Sequence, residues 1–329
     1  MADVSKKRKI GLKLAKCKKG FIYRILVKIN LILFHWKERR KYLVKKRKNK
    51  QTYYVIRSRE ASDGLLSTYF FVISHVVWAL ERDYIPVVKF DDETCQYYVG
   101  REINGTYNAW EYFFTQPCGV KYEDIPNDAN ILLSGWTLFE KNGVKDVKLT
   151  VDNVRKTIKN VCEKHCGVQP YIWEIVDQKA KELFDGNNTL GAFIRGTDYV
   201  ALKPKGHYIQ PTVDDLQEKI DEFLSKYEIG KIFVVTEDYD IYQCLEQKYR
   251  GRVFTSDDDF VKNYNTEDYL SASLNSDPYV RGLNYLIRVL LLAKCPYIVS
   301  SITNGSLFAL TVKNEEYSDE YWFDLGLYP

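Results

Sequence analysis

The stretch that decides the fold is Leu190-Gly-Ala-Phe-Ile-Arg195-Gly-Thr-Asp-Tyr199, an apolar run that ends on an arginine, a glycine and an aspartate. Such a run predicts a buried strand that carries a cation to the edge of a sheet. Ligands of open α/β sheets bind at the carboxyl ends of the strands. An arginine there suits a diphosphate, because its planar guanidinium makes bidentate contacts with anionic oxygens. This stretch alone leaves open a second interpretation, a structural ion pair at a strand end.

Strand and helix signals alternate on both sides of this stretch. Before it, the spacing of apolar residues predicts strands at 52–57 and 85–90 and helices at 65–82, 108–117, 150–165 and 170–185. From it onward, strands are predicted at 189–195, 231–235, 252–255 and 297–300, with helices at 212–227, 239–249, 279–293 and 304–313. The pattern predicts an α/β fold with two doubly wound domains, residues 51–185 and 186–329, that face each other across a cleft.

Residues 1–50 differ in charge from the rest of the chain. They carry a large excess of Lys and Arg, so the formal net charge of +4 hides an acidic remainder. Their apolar run, residues 20–35, is interrupted by Arg24, Lys28 and Asn30, and is too short and too polar to span a bilayer. It also lacks the cleavage site of a signal peptide.

This N-terminal segment predicts a basic amphipathic helix that lies on an anionic membrane surface. The protein is then expected in the cytoplasm, peripheral at the inner face of the membrane. A tail with a helix docked on the body and a nucleic-acid-binding arm are the alternatives. No folded nucleic-acid-reading motif accompanies the basic run, so nucleic acid is not expected as a partner.

The cysteines and one acidic run were considered as metal sites. The seven cysteines are scattered, which indicates a reducing compartment rather than a disulfide framework. Cys162 and Cys166, with His165 between them, lack a second ligand pair at zinc-site spacing, so a helix partly facing a core is expected. The acidic run 257–259 could hold a metal ion, but solvated acids are common after a strand. No metal is expected.

Several short motifs point to one superfamily. In the second half they are Phe193-Ile-Arg195-Gly-Thr197-Asp198 with the later His207, Val234-Val-Thr236-Glu237-Asp238, Tyr279-Val-Arg281-Gly282, and Tyr297-Ile-Val-Ser300-Ser301-Ile-Thr303-Asn304-Gly305-Ser306. In the first half they are Asp63-Gly64-Leu65-Leu66 and His75-Val-Val-Trp78. With these motifs, most of residues 52–315 resembles the GT-B superfamily of fucosyltransferases, which includes α1,6-, nodulation and protein O-fucosyltransferases. Within it, the chain is most similar to small bacterial enzymes of surface-polysaccharide loci.

The resemblance implies a GT-B-like fold with two Rossmann-like domains. It also implies an inverting, metal-independent transfer of a sugar from a nucleotide sugar to a glycan acceptor. GDP-fucose is the first candidate for the donor, and the acceptor could be lipid-linked. No cofactor other than this donor is expected. The donor-binding residues that it implies are Gly64, Arg195, Thr236, Glu237, Asp238, Arg281, Ser301, Thr303, Asn304 and Gly305. Arg195 and a helix N-terminus would neutralise the departing diphosphate; for the loop before that helix, an ordinary N-cap is the alternative.

The chain departs from the family pattern at three positions. Phe193 stands where many relatives have a guanine-contacting histidine, and Leu286 where α1,6 enzymes have a carboxylate that helps read guanine. Lys203 stands in place of a glutamate that is a suggested base. An acceptor hydroxyl still needs a proton acceptor. The resemblance places Asp63 in that role, with His207 and Asp198 as reserves; a plain turn aspartate is the other interpretation of Asp63.

Because the chain departs from the family pattern at these positions, two further functions stay open. The chain could use a different nucleotide sugar, because the usual guanine contacts are missing. It could also be a catalytically idle, membrane-docked protein that binds a sugar or a nucleotide. The intact pair of Arg195 and Asp198 favours the enzyme over the idle protein.

Overall fold

The computed structural model describes residues 50–58, 64–134, 144–256, 260–261 and 277–329. Two parallel β-sheets organise this part of the chain, one built from its first half and one from its second. The α/β class expected from the alternating signals is therefore confirmed.

The first sheet has three parallel strands in the order β2-β1-β3. Its elements are β1 (Thr52–Arg57), α1 (Leu65–Leu80), β2 (Ile85–Lys89) and β3 (Asn130–Leu133). Helix α1 is apolar almost all round and is buried on nearly every side. A helix of that kind belongs inside a core rather than on a surface, and α1 indeed packs against its own sheet and against the second half of the chain.

Two 3-10 turns (Pro117–Gly119 and Tyr122–Asp124) lie between β2 and β3 of the first sheet. Short helical segments then connect the two sheets: α2 (Val151–Asn153), a π-helical turn (Val154–Ile158), α3 (Lys159–His165) and α4 (Pro170–Phe184). Cys162 and Cys166 are buried at the end of this region, as expected for a helix that faces a core.

The second sheet has five parallel strands in the order β6-β5-β4-β7-β8. Its elements are β4 (Thr189–Phe193), α5 (Thr197–Leu202), α6 (Val213–Lys226), β5 (Lys231–Val235), α7 (Tyr239–Lys248), β6 (Val253–Phe254), α8 (Pro278–Lys294), β7 (Tyr297–Ser301), α9 (Asn304–Val312) and β8 (Asp319–Phe323). The chain runs outward from β4 to β6 and then returns to the other side of β4. The order of the strands therefore reverses between β4 and β7, which is where doubly wound sheets bind ligands.

A shared apolar core joins the two halves. The ring of Tyr69 in α1 meets the ring of Phe308 in α9 edge to face, with centroids 4.7 Å apart. Helix α4 packs along α8. Each aromatic pair of this kind contributes about 0.5–1.5 kcal/mol of stability beyond the burial of its surface area. Packing across this core therefore holds the two halves together.

The helix predicted over 108–117 is wrong. Residues 109–113 form turns, because the side chain of Asn108 bonds to the backbone of the preceding strand. Asn108 Oδ1 accepts from the amide of Phe90 at 2.9 Å, and its Nδ2 donates to the carbonyl of Val88 at 2.7 Å. A side chain that satisfies a neighbouring backbone in this way competes with helix formation.

Three predictions fall on residues that the structure does not describe. They are the membrane-associating segment within residues 1–49, Asp63, and the acidic run 257–259. Within the described ranges, no helix combines the length and hydrophobicity needed to cross a membrane. The same ranges contain no group of three or more His, Cys, Asp or Glu side chains placed to hold a metal ion.

Candidate active site

The candidate site lies at the carboxyl ends of β4, β5 and β7, three adjacent strands of the second sheet. Phe193 at the end of β4 is in register with Val235 of β5 and Ser300 of β7. The residues that follow these strands, Arg195, Thr236–Asp238 and Ser301–Gly305, are therefore brought to one edge. The sequence places polar or charged groups in each of these three segments, and the fold gathers them at the point where strand order reverses.

The Arg195 guanidinium is held by two carboxylates. Its Nη2 donates to Asp198 Oδ1 at 2.5 Å, and its Nε lies 3.4 Å from Glu237 Oε1. The ring of Tyr199 lies under the guanidinium, 4.8 Å from the guanidinium carbon. Burial disfavours the charged form, but Glu237 and Asp198 outweigh it and raise the pKa of Arg195, so the cation persists at any working pH.

Glu237 and Asp238 shape the turn that carries Arg195. Glu237 Oε1 accepts from the amide of Gly196 at 3.1 Å and from the Thr197 hydroxyl at 2.7 Å. Asp238 caps α7 and approaches Gly196 so closely that a Cβ there would lie 2.4 Å from Asp238 Oδ2. Only glycine fits at position 196. Thr197 then enters α5 with φ of 36°, a strained value for a β-branched residue.

The start of α9 forms the neighbouring part of the site. Thr303 is the N-cap, its hydroxyl accepting from the amide of Ser306, and Ser306 Oγ accepts from the amide of Thr303 in return. The first-turn amides of Asn304 and Gly305 have no intrahelical acceptor, since no helix offers one there. A helix end of this kind binds phosphate readily.

Among the buried polar atoms at this edge, Ser301 Oγ has no hydrogen-bond partner within the described residues. Arg195 Nε has none either, although it forms an ion pair with Glu237 Oε1 at 3.4 Å. Buried polar groups are nearly always paired, so atoms left over at one edge fit a site that receives an anionic ligand.

Sequence reasoning missed one face of α8. Arg281, Tyr285 and Arg288 follow one another at helical spacing of four and three residues and so share a face. Arg281 was expected, whereas Tyr285 and Arg288 were not. Arg288 Nη1 donates to the carbonyl of Thr236 at 3.4 Å. Burial raises the pKa of Tyr285 to about 12, so its hydroxyl stays protonated near Arg195. The spacing along α8 was the signal available in the sequence.

A cavity of about 430 Å³ opens beside this cluster. Its walls come from α1, residues 146–150, Gly206–Tyr208, Ile302–Asn304 and Leu327. Tyr199 also lines it, and its hydroxyl lies 3.3 Å from His207 Nδ1. Tyr199 therefore connects Arg195 to His207. Burial outweighs the influence of Asp198 and lowers the pKa of His207, so its imidazole is neutral at pH 7.

The remaining predicted residues are placed as follows. Gly64 precedes α1 with φ of −60° and ψ of 156°, a conformation that any residue adopts. Phe193 and Leu286 are buried apolar side chains. Ser301 is fully buried, whereas Asn304 lines the cavity.

Comparison with known proteins was made by sequence and by structure. No protein-family model matches the chain, and no curated protein sequence matches it. Solved structures do match. The chain is similar to fucosyltransferase NodZ from Bradyrhizobium, with a TM-score of 0.51 and 14% identity over 80% of this chain and 94% of that one. It is also similar to NodZ alpha-1,6-fucosyltransferase co-crystallized with GDP (TM-score 0.50, 13% identity, 80% and 93% covered).

A third structure, POFUT1 in complex with GDP, matches with a TM-score of 0.51 and 7% identity over 83% of this chain and 99% of that one. The fold is that of the GT-B-like fucosyltransferases. The expected fold class is thus confirmed. Because one fold hosts many activities, the activity of this GT-B-like chain has to be argued from the Arg195 cluster and the cavity.

Proposed function

We propose that this chain is an inverting, metal-independent glycosyltransferase that transfers fucose from GDP-fucose to a glycan acceptor in surface-polysaccharide synthesis. The observation that carries the proposal is Arg195, held by Asp198 and Glu237 at the strand-order reversal beside the N-terminus of α9. Two of the matched structures, NodZ alpha-1,6-fucosyltransferase and POFUT1, hold GDP, which adds support for the donor. Residues 186–329 would bind the nucleotide sugar, and residues 51–185 would face the acceptor.

The proposed reaction is a direct displacement at the anomeric carbon of the donor. The acceptor hydroxyl attacks the anomeric carbon from the face opposite the diphosphate, and the bond from that carbon to the phosphate oxygen breaks. The bonding electron pair leaves on the diphosphate, where Arg195 and the first turn of α9 stabilise the growing charge. The hydroxyl proton goes to a base. Asp63 is our first choice for this base and His207 the second, since His207 is neutral and lines the cavity.

A nucleotide-sugar donor with a nucleobase other than guanine is a second candidate, favoured by two observations. Phe193 and Leu286, at the positions expected to read guanine, are buried in the apolar core. Glu237 and Asp238 are engaged in holding the Arg195 turn. The base of the nucleotide would then be read by groups that differ from those of the α1,6 enzymes.

A thermal-shift series with GDP, UDP and CDP tests the donor. A ligand that binds only the folded state raises Tm by mass action. We expect GDP to raise Tm most, and GDP-fucose to be consumed with transfer of fucose to a glycan. A larger shift in Tm with UDP or CDP would indicate a different nucleotide-sugar donor, and the proposed transferase activity would still stand. Nucleotide binding without turnover of any nucleotide sugar would indicate the idle binding protein.

The N-terminal residues 1–50 are proposed to hold this enzyme at an anionic membrane surface, on the cytoplasmic side. Support comes from their basic flanks and interrupted apolar run alone. A lipid-linked glycan would be within reach of an enzyme placed there.

A further inference from the structure

Residues Gly326–Tyr328, after β8, run alongside the loop that carries His207. The amide of Gly206 donates to the carbonyl of Tyr328 at 2.9 Å, and the amide of Tyr328 donates to the carbonyl of His207 at 2.8 Å. The amide of Ile209 donates to the carbonyl of Gly326 at 2.9 Å. Tyr208 and Leu327 form an antiparallel bridge in the middle. Three main-chain hydrogen bonds thus join the two segments as a short two-stranded ladder.

The His207 loop has few such bonds of its own. The amide of His207 donates to the carbonyl of Pro204 at 3.1 Å, and Gln210 Nε2 donates to the carbonyl of Tyr208 at 2.9 Å. Gly206 adopts φ of 79°, a left-handed value that favours glycine. The pairing with 326–328 therefore supplies much of the order of this loop.

The same segment borders the cavity directly. Leu327 lines the cavity together with His207 and Tyr208, and its side chain is 53% exposed. On the opposite side of the loop, the hydroxyl of Tyr208 donates to the carbonyl of Leu149, which lines the cavity too. The ladder, the loop and residues 146–150 form one continuous wall.

We propose that Gly326–Tyr328 position the His207 loop and that Leu327 is a wall of the pocket that receives the acceptor sugar. The assignment of the pocket to an acceptor rests on the proposed function. The hydrogen bonds from 326–328 to the loop end on residues 206–210, whereas the nucleotide-side groups Arg195 and Glu237 are tied to Asp198 and Thr197. Disturbing this segment should thus change how the acceptor is used and leave nucleotide binding intact.

Tyr328→Pro tests the positioning, because proline removes the amide that donates to His207. Its matched control is Tyr328→Phe, which keeps that amide and loses only the hydroxyl, a distant acceptor for the amide of Gln210 at 3.5 Å. We expect the amides of Gly206 and Ile209 to exchange with solvent at least about tenfold faster in the proline variant, the ordinary signature of local opening. They should be unchanged in the phenylalanine variant. Equal exchange in both variants would overturn the positioning claim.

Leu327→Ala tests the wall, with the exposed Leu325→Ala as its control. Turnover is measured with GDP-fucose and a panel of mono- and oligosaccharides. We expect Leu327→Ala to raise the KM for the best acceptor at least about threefold, with the KM for GDP-fucose unchanged, and Leu327→Met to restore it, in line with tolerance of volume-conserving swaps. A rise in the KM for GDP-fucose instead would refute the assignment of Leu327 to the acceptor pocket. If wild-type protein neither binds GDP nor uses GDP-fucose, the proposed function fails, and the amide exchange still decides the positioning.

Discussion

Replacement of Arg195 by lysine is the sharpest test of the candidate active site. Lysine keeps one positive charge but loses the planar fork. In the structure, that fork spans Asp198 on one edge and Glu237 on another, at 2.5 and 3.4 Å. A single ammonium group has three donors but no fixed fork, so it cannot span both carboxylates and also offer a diphosphate a bidentate contact.

The magnitude follows from the role assigned to this group. Removal of one preorganised stabiliser of developing charge costs about 10²–10³ in turnover. We therefore expect Arg195→Lys to lower kcat at least about 100-fold, which is about 2.7 kcal/mol of transition-state stabilisation. The Tm should fall less than in an alanine variant, because one of the two buried carboxylates keeps its counter-charge.

Alanine at the same position would behave differently. Asp198 and Glu237 are 5% and 9% exposed, and alanine leaves both carboxylates without the Arg195 cation. Leaving a buried charge unpaired costs about 3–5 kcal/mol, a large part of the stability of a domain. Loss of activity in Arg195→Ala is thus confounded by unfolding, which makes lysine the informative variant.

The assay measures kcat, the Tm, and the rise in Tm on addition of GDP. Arg250→Lys, at an exposed arginine after α7, is the matched control and should behave as wild type. An Arg195→Lys variant that keeps most of its turnover, with an unchanged Tm, would refute the assignment of Arg195 to the diphosphate.

Three other predictions concern metal, membrane and base. Turnover should persist in excess EDTA, because Arg195 and a helix end replace the ion; complete loss, restored by manganese or magnesium, would point to the acidic run 257–259. Deletion of residues 1–50 should leave an active enzyme that no longer floats with anionic liposomes. Equal flotation of the truncated and full-length proteins would refute membrane binding by this segment. Asp63→Asn should cut turnover sharply with little change in donor affinity, whereas His207→Ala should be milder and mainly weaken binding. An acidic limb of kcat/KM that lies below about pH 6.5 and vanishes in His207→Ala would instead assign the base to His207, whose pKa is lowered by burial.

The alternating strands and helices could be predicted because their apolar periods are strong. Strand β4 is apolar after its first residue, Thr189, and it is buried at all five positions. Three elements were missed for local reasons. Strand β3 has only four residues, β8 begins with Asp319 and Glu320, and α5 begins at Thr197 in a conformation that no propensity favours.

The candidate site was predicted in part. Arg195 could be found because a cation at the end of an apolar strand is unusual. The roles of Glu237 and Asp238 in shaping the Arg195 turn could not be predicted. They depend on how closely the loop after β5 approaches Gly196. The pairing of residues 326–328 with the His207 loop joins positions more than a hundred residues apart, which a single sequence does not reveal.

The two carboxylates beside Arg195 bear on how this site could catalyse. Asp198 and Glu237 bring two negative charges to the guanidinium, and Arg288 adds a second buried cation nearby, so the cluster is formally balanced before any donor arrives. Such a cluster holds the guanidinium rigidly but attracts a ground-state diphosphate less than an unpaired arginine would. The attraction grows as the sugar departs and charge builds on the leaving oxygens. Catalysis requires stronger binding in the transition state than in the ground state, and a fixed, partly compensated cation beside a helix N-terminus meets that requirement without an ion.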